Sequence, residues 1–214
     1  MTAAPAPNRL ARDRAAEATR SRILAAVETL LAKGGEEAVS IREVCLRAGV
    51  TAPTIYHHFG DKQALVDRVI DDCFLEFDRS LRRRRLPSDP VEALRSGFDN
   101  YVAYGLKHPT HYRLIFQNPP ARPTAAGMAS YEGLRAAVGR IDQAKRLRTT
   151  VDEGAFAFWV TAHGLTSLLI NGFQPPGESL ALVRDALIER LTLPADAGRK
   201  TKSQPSEVSH AARK

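Results

Sequence analysis

The chain has 214 residues, with 31 Lys+Arg against 24 Asp+Glu, a formal net charge of +7 and 43% hydrophobic residues. That length and apolar content exclude wholesale disorder and suffice for a real core, in one medium domain or two small ones. Two cysteines, Cys45 and Cys73, with no CxxC pair, exclude a disulfide-rich secreted scaffold and a cysteine zinc site, whereas the positive balance favours an anionic partner without locating it.

Residues 1–13 are Ala/Pro-rich with scattered Arg and no apolar run, so they are expected to form a disordered arm and not a secretory signal. Beyond them apolar residues recur at helical spacing and not at strand spacing, which predicts an all-α fold. A first helix from about Arg14 places Ile23, Val27, Leu30 and Leu31 on one face and stops at Gly34-Gly35. The second opens at Ser40-Ile41-Arg42-Glu43, a capping-box pattern expected to satisfy two free amides reciprocally. Its buried stripe is Ile41, Val44, Cys45 and Ala48, and Gly49 ends it in the left-handed conformation that a sharp turn needs. A third, short helix follows, with Thr51 as cap, Pro53 in its first turn and Gly60 at its end. Only its Ile55 and Phe59 look inward.

A long helix starts at Asp61, carries Leu65, Val69, Cys73, Phe74, Phe77 and Leu81, and ends in Arg82-Arg83-Arg84-Arg85. Asp89 caps a fifth helix through Lys107, and His108-Pro109 restarts the chain into a short helix ending near Asn118. Ala125 to Thr149 reads as one helix, and Pro175-Pro176-Gly177 splits two more, at about 152–172 and 178–193. The charge-free core of 154–177 has the length of a bilayer span, yet Thr161, His163, Asn171 and two prolines suit a buried helix better. Residues 194–214 are polar and are expected to be a disordered tail. With no export signal and reduced-looking cysteines, the expected location is the cytoplasm.

Three short helices with a glycine turn before the third describe a helix-turn-helix. The third helix offers hydroxyls on Thr51 and Thr54, a phenol on Tyr56, imidazoles on His57 and His58, and no acid. Those donors suit phosphates and base edges, and the small Ala52 lets the backbone approach a groove closely. Residues 49–62, Gly49-Val50-Thr51-Ala52-Pro53-Thr54-Ile55-Tyr56-His57-His58-Phe59-Gly60-Asp61-Lys62, resemble the helix-turn-helix signature of the tetracycline-repressor (TetR) family of transcription regulators. Ser40 to Val44 and Lys62-Gln63-Ala64-Leu65 fit its second and fourth helices, so the likeness covers roughly residues 16 to 66.

The resemblance implies an all-α chain whose N-terminal head, 14–60, binds DNA. The long fourth helix joins it to a helical ligand-binding and dimerisation domain, 61–193. It implies that Arg42 holds a guanine, that Thr54, Tyr56 and Lys62 hold phosphates, and that Thr51, Ala52 and His57 face base edges, with His58 less defined. Trp159-Val160-Thr161-Ala162-His163-Gly164, with His108 to Phe116 upstream, resembles the WHG subgroup of TetR C-terminal domains.

In that half Phe74, Phe77, Phe98, Tyr101, Tyr104, Phe116, Trp159 and His163 can wall a pocket for a small apolar or aromatic inducer, or can simply be core. The eighth helix is apolar on two sides. Phe158, Ala162, Leu165 and Leu169, with Leu180, Val183, Leu187 and Leu191 of the ninth, form the candidate dimer interface. Arg82 to Arg85 read as a solvated helix end, Cys45 and Cys73 as core, and Glu207-Val208-Ser209-His210 as an accidental metal-like spacing. No HExxH, GxSxG, GxGxxG or Walker motif occurs, so neither an enzyme nor a cofactor or metal site is expected. The expected function is a sequence-specific regulator, a repressor, binding a pseudo-palindromic operator as a homodimer and released by an inducer. The alternative is a helical interaction or ligand-binding module without specific DNA binding.

Overall fold

The structure, a computed structural model, describes residues 7–82, 86–117 and 123–195. Its helices are α1 (Pro7–Gly34), α2 (Ile41–Ala48), α3 (Ala52–Phe59), α4 (Lys62–Arg82), α5 (Pro90–Lys107), α6 (Pro109–Tyr112), α7 (Ala125–Gln143), α8 (Val151–Ile170) and α9 (Ser179–Leu191). A 3₁₀ turn at Glu36–Ala38 joins α1 to α2, and a π-helical turn at Arg113–Gln117 continues α6. Among the described residues the one β contact is an antiparallel bridge between Leu147 and Thr192. No described helix is long and apolar enough to cross a membrane. The expected tail from 196 onward, most of the Arg82–Arg85 run and Asn118 lie outside the described residues.

The chain divides into two compact units, and the division is not the linear one expected at residue 60. One unit takes residues 1–84 with 103–132, the other 85–102 with 133–214. In the first, Ile23, Ala26, Val27, Leu30 and Leu31 of α1 are buried together with Val44 and Ala48 of α2, Ile55 of α3 and Leu65, Val66 and Val69 of α4. The helical stripe of α1 is therefore where the spacing put it, but the helix itself begins at Pro7 and not at Arg14. Residues 11–18 are exposed, and this Ala-rich stretch is a good helix former, so it continues the helix there.

Farther along this unit, Phe77 meets the rings of Tyr104 and Phe116 at 5.1 and 5.6 Å, and Phe74 meets Phe116 at 5.7 Å. The start of α7 sits tightly on α4. A Cβ at Gly127 would lie 3.0 Å from the Phe74 ring, so glycine permits the approach. Asp71 accepts a hydrogen bond from the Ala126 amide at 3.1 Å, and Asp78 accepts one from the Ser130 hydroxyl at 2.8 Å.

The second unit is held by packing and by paired charges. Phe98 of α5 meets Phe158 of α8 at 5.6 Å, and α8 packs on α9. Arg184 of α9 grips both oxygens of Asp99 on α5 at 2.8–2.9 Å, Arg95 pairs with Asp185, and Arg146 pairs with Asp89. Asp89 also accepts the Val91 and Glu92 amides, as the expected cap of α5 should.

Two local expectations fail. The helix expected through Thr149 ends at Gln143, because Lys145 takes a left-handed φ of 56° and turns residues 146–148 alongside 191–193. There the Leu193 amide donates to the Arg146 carbonyl at 2.7 Å, and the Arg148 amide to the Leu191 carbonyl at 2.8 Å. Of the capping boxes, Ser40 accepts from the Glu43 amide at 3.2 Å, but the Glu43 carboxylate turns away to Arg47 at 2.8 Å. A complete box forms instead at Thr150 and Glu153, opening α8. Thr150→Ala is therefore expected to destabilise the protein by about 1 kcal/mol in urea unfolding. An unchanged midpoint and slope would mean that the box contributes nothing.

Candidate nucleic-acid interface

The two helices of the candidate motif meet at one strained-looking position that only glycine takes easily. Gly49 has φ 63° and ψ 45°, and its amide closes the last turn of α2 on the Cys45 carbonyl. The chain then runs extended through Thr51 into α3. Thr51 does not cap α3 with its side chain. Its carbonyl receives the Thr54 and Ile55 amides, while its hydroxyl pairs with the Thr54 hydroxyl at 3.0 Å. Two hydroxyls joined by one hydrogen bond keep one hydrogen to donate outward.

Ile55 is fully buried and is the one buried residue of α3. Phe59, expected to look inward as well, is half-buried, and the Arg20 guanidinium of α1 covers its ring at 5.6 Å. Around this anchor Thr51, Tyr56 and His57 are exposed, Ala52, Thr54 and His58 half-buried, and Arg42 on α2 exposed. The His57 and His58 rings meet edge to face at 5.4 Å. Glu43, the acid on α2, is engaged by Arg47, so its charge is matched within its own helix. Lys62 differs from expectation. It is half-buried, and its ammonium donates to the Glu36 carbonyl at 3.3 Å, so it ties α4 to the turn before α2.

The eight residues proposed to wall a pocket are placed in two groups. Phe74, Phe77, Tyr104 and Phe116 lie in the first unit, in ring-to-ring packing. Phe98 and Tyr101 are buried in the second unit, whereas Trp159 is 36% exposed beside a half-buried His163, 6.2 Å from it. Burial alone lowers the His163 pKa and favours its neutral form.

The expected dimer face of α8 is likewise reassigned. Phe158, against Phe98, and Ala162 are buried, and Leu165 and Leu169 are half-buried. The side that carries Phe156 (57% exposed), Trp159, Val160 and Leu168 is the open one. A helix without charge gives no sequence signal for which side turns inward, and the contact with Phe98 decides it. On α9, Leu180 and Val183 are exposed as expected, Leu187 is half-buried, and Leu191 is buried.

One constellation escaped the sequence reading. His111 of α6 sits between acids of two helices, with Nε2 3.0 Å from Glu28 of α1 and Nδ1 3.3 Å from Glu76 of α4. The hydrogen bond with Glu28 raises the His111 pKa and lowers that of Glu28. These side chains border a cavity of about 120 Å³ that also touches Leu24, Asp72 and Cys73. Burial pushes the Cys73 thiol up to about 12, so it stays protonated. The sequence held only the pair His108, at the N-cap of α6, and His111 within it, which does not reveal the acids of α1 and α4.

Comparison with known proteins agrees with the arrangement of both halves. Residues 23–69 match the profile of bacterial regulatory proteins of the tetR family, and residues 94–192 match the tetracyclin repressor-like C-terminal domain. The chain belongs to the TetR family. The likeness to the WHG subgroup is not confirmed by that C-terminal match. Among curated relatives, the chain is 30% identical over 96 residues to the helix-turn-helix-type transcriptional regulator UidR of Escherichia coli K12, covering 45% of each chain. It is 34% identical over 92 residues to a helix-turn-helix-type transcriptional repressor of Mycobacterium tuberculosis, covering 43% of this chain and 48% of that one. The chain thus spans about half the length of the curated relatives it matches. A solved Rhodococcus protein of unknown function is similar over 82% of this chain and 96% of its own, with 26% identity and a TM-score of 0.68.

Proposed function

We propose that this TetR-family chain is a sequence-specific DNA-binding transcriptional repressor that acts in the cytoplasm as a homodimer on a pseudo-palindromic operator. The observation that carries the reading is the surface around Gly49. Arg42, Thr51, Tyr56 and His57 stand exposed there with hydrogen-bond donors, and the neighbouring acid Glu43 is already paired. Arg42 reads a guanine edge, Thr54 and Tyr56 hold phosphates, and Thr51, Ala52 and His57 meet base edges. We take repression as the direction, as described for the Mycobacterium tuberculosis relative, while a Mycolicibacterium smegmatis relative is described as an activator. The open apolar side of α8, with exposed Leu180, Leu182 and Val183 of α9, supplies the self-complementary patch that a two-fold dimer requires.

Release from DNA follows if a small apolar inducer binds the DNA-incompetent state more tightly. A 100-fold preference corresponds to about 2.7 kcal/mol of coupling.

Purified protein incubated with random duplexes at physiological salt is expected to enrich one palindromic motif. Recovery of no motif would overturn the reading. On the enriched site, Arg42→Ala should cost about 1–3 kcal/mol and relax preference at one base position. Lys62→Ala should instead weaken all duplexes alike, and should also lower the unfolding midpoint because the Glu36 carbonyl loses its donor. Identical behaviour of the two variants would contradict the division between reader and support. For the dimer, Phe156→Glu is expected to shift sedimentation to the monomer while leaving helicity intact. An unchanged dimer would exclude this side of α8.

A further inference from the structure

The strongest unassigned feature lies in the first unit, where α1, α4 and α6 converge. Glu76, His108 and His111 can each bring one donor atom within 4.8 Å of the other two. His111 Nδ1 is buried and makes no hydrogen bond, and Glu76 Oε2 stands 3.3 Å from it. The other ring nitrogen, Nε2, is held at 3.0 Å by Glu28. A carboxylate on one imidazole nitrogen that leaves the second facing another ligand is the outer support seen around metal-bound histidines. The spacing agrees with this. Ligands about 2.0–2.2 Å from a tetrahedral zinc ion lie roughly 3.4 Å apart, close to the separation of His111 Nδ1 and Glu76 Oε2.

Two further observations converge on the same spot. The His108 ring lies nearly parallel to His111, with centroids 5.8 Å apart, and stacks on Tyr104 at 5.0 Å, so packing fixes its plane. The Tyr104 hydroxyl is buried without a hydrogen-bond partner, within electrostatic reach of Glu76 and Glu28. A buried hydroxyl left unsatisfied is unfavourable, and a bound ion's water or ligand oxygen at this place would relieve it.

We propose that Glu76, His108 and His111 form a binding site for a divalent transition-metal ion of the zinc type, with Glu28 orienting His111 from outside the coordination shell. Two imidazoles and one carboxylate suit zinc, cobalt or nickel better than magnesium or calcium, which take oxygen donors. The fourth position falls to water. Because Glu28 and Glu76 belong to α1 and α4, the helices that also carry the core of the candidate DNA head, a bound ion would fasten both to α6. The site stands on this geometry and not on the DNA reading, so either can fail alone.

The test uses tag-free full-length protein stripped with EDTA, dialysed and titrated with Zn²⁺ or Co²⁺. We expect one equivalent per chain, a cobalt spectrum of tetrahedral intensity and a raised melting temperature. Glu76→Gln and His108→Gln are each expected to weaken binding at least about 10-fold, and Glu28→Gln by about 10–100-fold. His57→Gln and His163→Gln should leave it unchanged. Circular dichroism of the stripped variants checks the fold, and His108, being half-buried, is the variant expected to keep it. Sub-stoichiometric uptake would overturn the site and leave His111 as a protonated bridge between Glu28 and Glu76. So would uptake that survives Glu76→Gln and His108→Gln together, or that is lost with His210→Ala.

Discussion

An eight-residue helix attached through one wholly buried side chain is the constraint on which the candidate interface depends. Ile55 is the buried anchor of α3, and Gly49, in the left-handed region, sets the direction from which the chain enters that helix. Because α3 spends so little of its surface on the core, Tyr56, His57 and the threonine hydroxyls remain outside. A short helix is marginal by itself. Its support comes from α2 and α4, the helices it packs against, and from tethers at its margins, Arg20 over Phe59 and Lys62 on the Glu36 carbonyl. Packing thus takes one face of the helix and leaves the other open.

The net charge of +7 is a poor guide to where a polyanion would bind. Residues 91–150 hold much of the excess, yet three of their arginines are engaged in ion pairs inside the second unit. Arg95 pairs with Asp185, Arg135 with Asp152, and Arg146 with Asp89 and the Leu193 carbonyl. These pairs join segments far apart in sequence. Arg95–Asp185 and Arg146–Asp89 also lie partly shielded, where an ion pair is screened less than at the open surface, whereas Arg135–Asp152 is exposed. What marks the candidate DNA surface is that its donors lack internal partners of opposite charge, not that positive charge is concentrated there.

Much of this organisation was legible in the sequence, and the exceptions share a cause. The stripe Ile23, Val27, Leu30 and Leu31 could be read because polar residues flank it and give it a direction. The turn at Gly49 could be read because few residues other than glycine accept a positive φ. Neither signal exists on α8. Its apolar residues run all round, so the buried side, Phe158 and Ala162, was indistinguishable from the open side, Phe156 and Trp159. The end of α7 was hidden for a different reason. Arg146, Leu147 and Arg148 continue a helical pattern locally, and a distant segment, 191–193, draws them out of it through backbone hydrogen bonds. Likewise Ser40 and Glu43 have the spacing of a capping box, but Arg47 lies one turn on and competes for the carboxylate. The cluster of Glu28, Glu76, His108 and His111 depends on three helices meeting, which no local pattern encodes.

The central claim is that DNA meets the face of α3 opposite Ile55. Photocrosslinking tests it most directly, with a photoreactive phenylalanine placed singly at position 57 or at position 156 and the protein bound to its enriched duplex. The account predicts efficient crosslinks to DNA from position 57 and none from position 156. Crosslinking from position 156 with none from position 57 would contradict it.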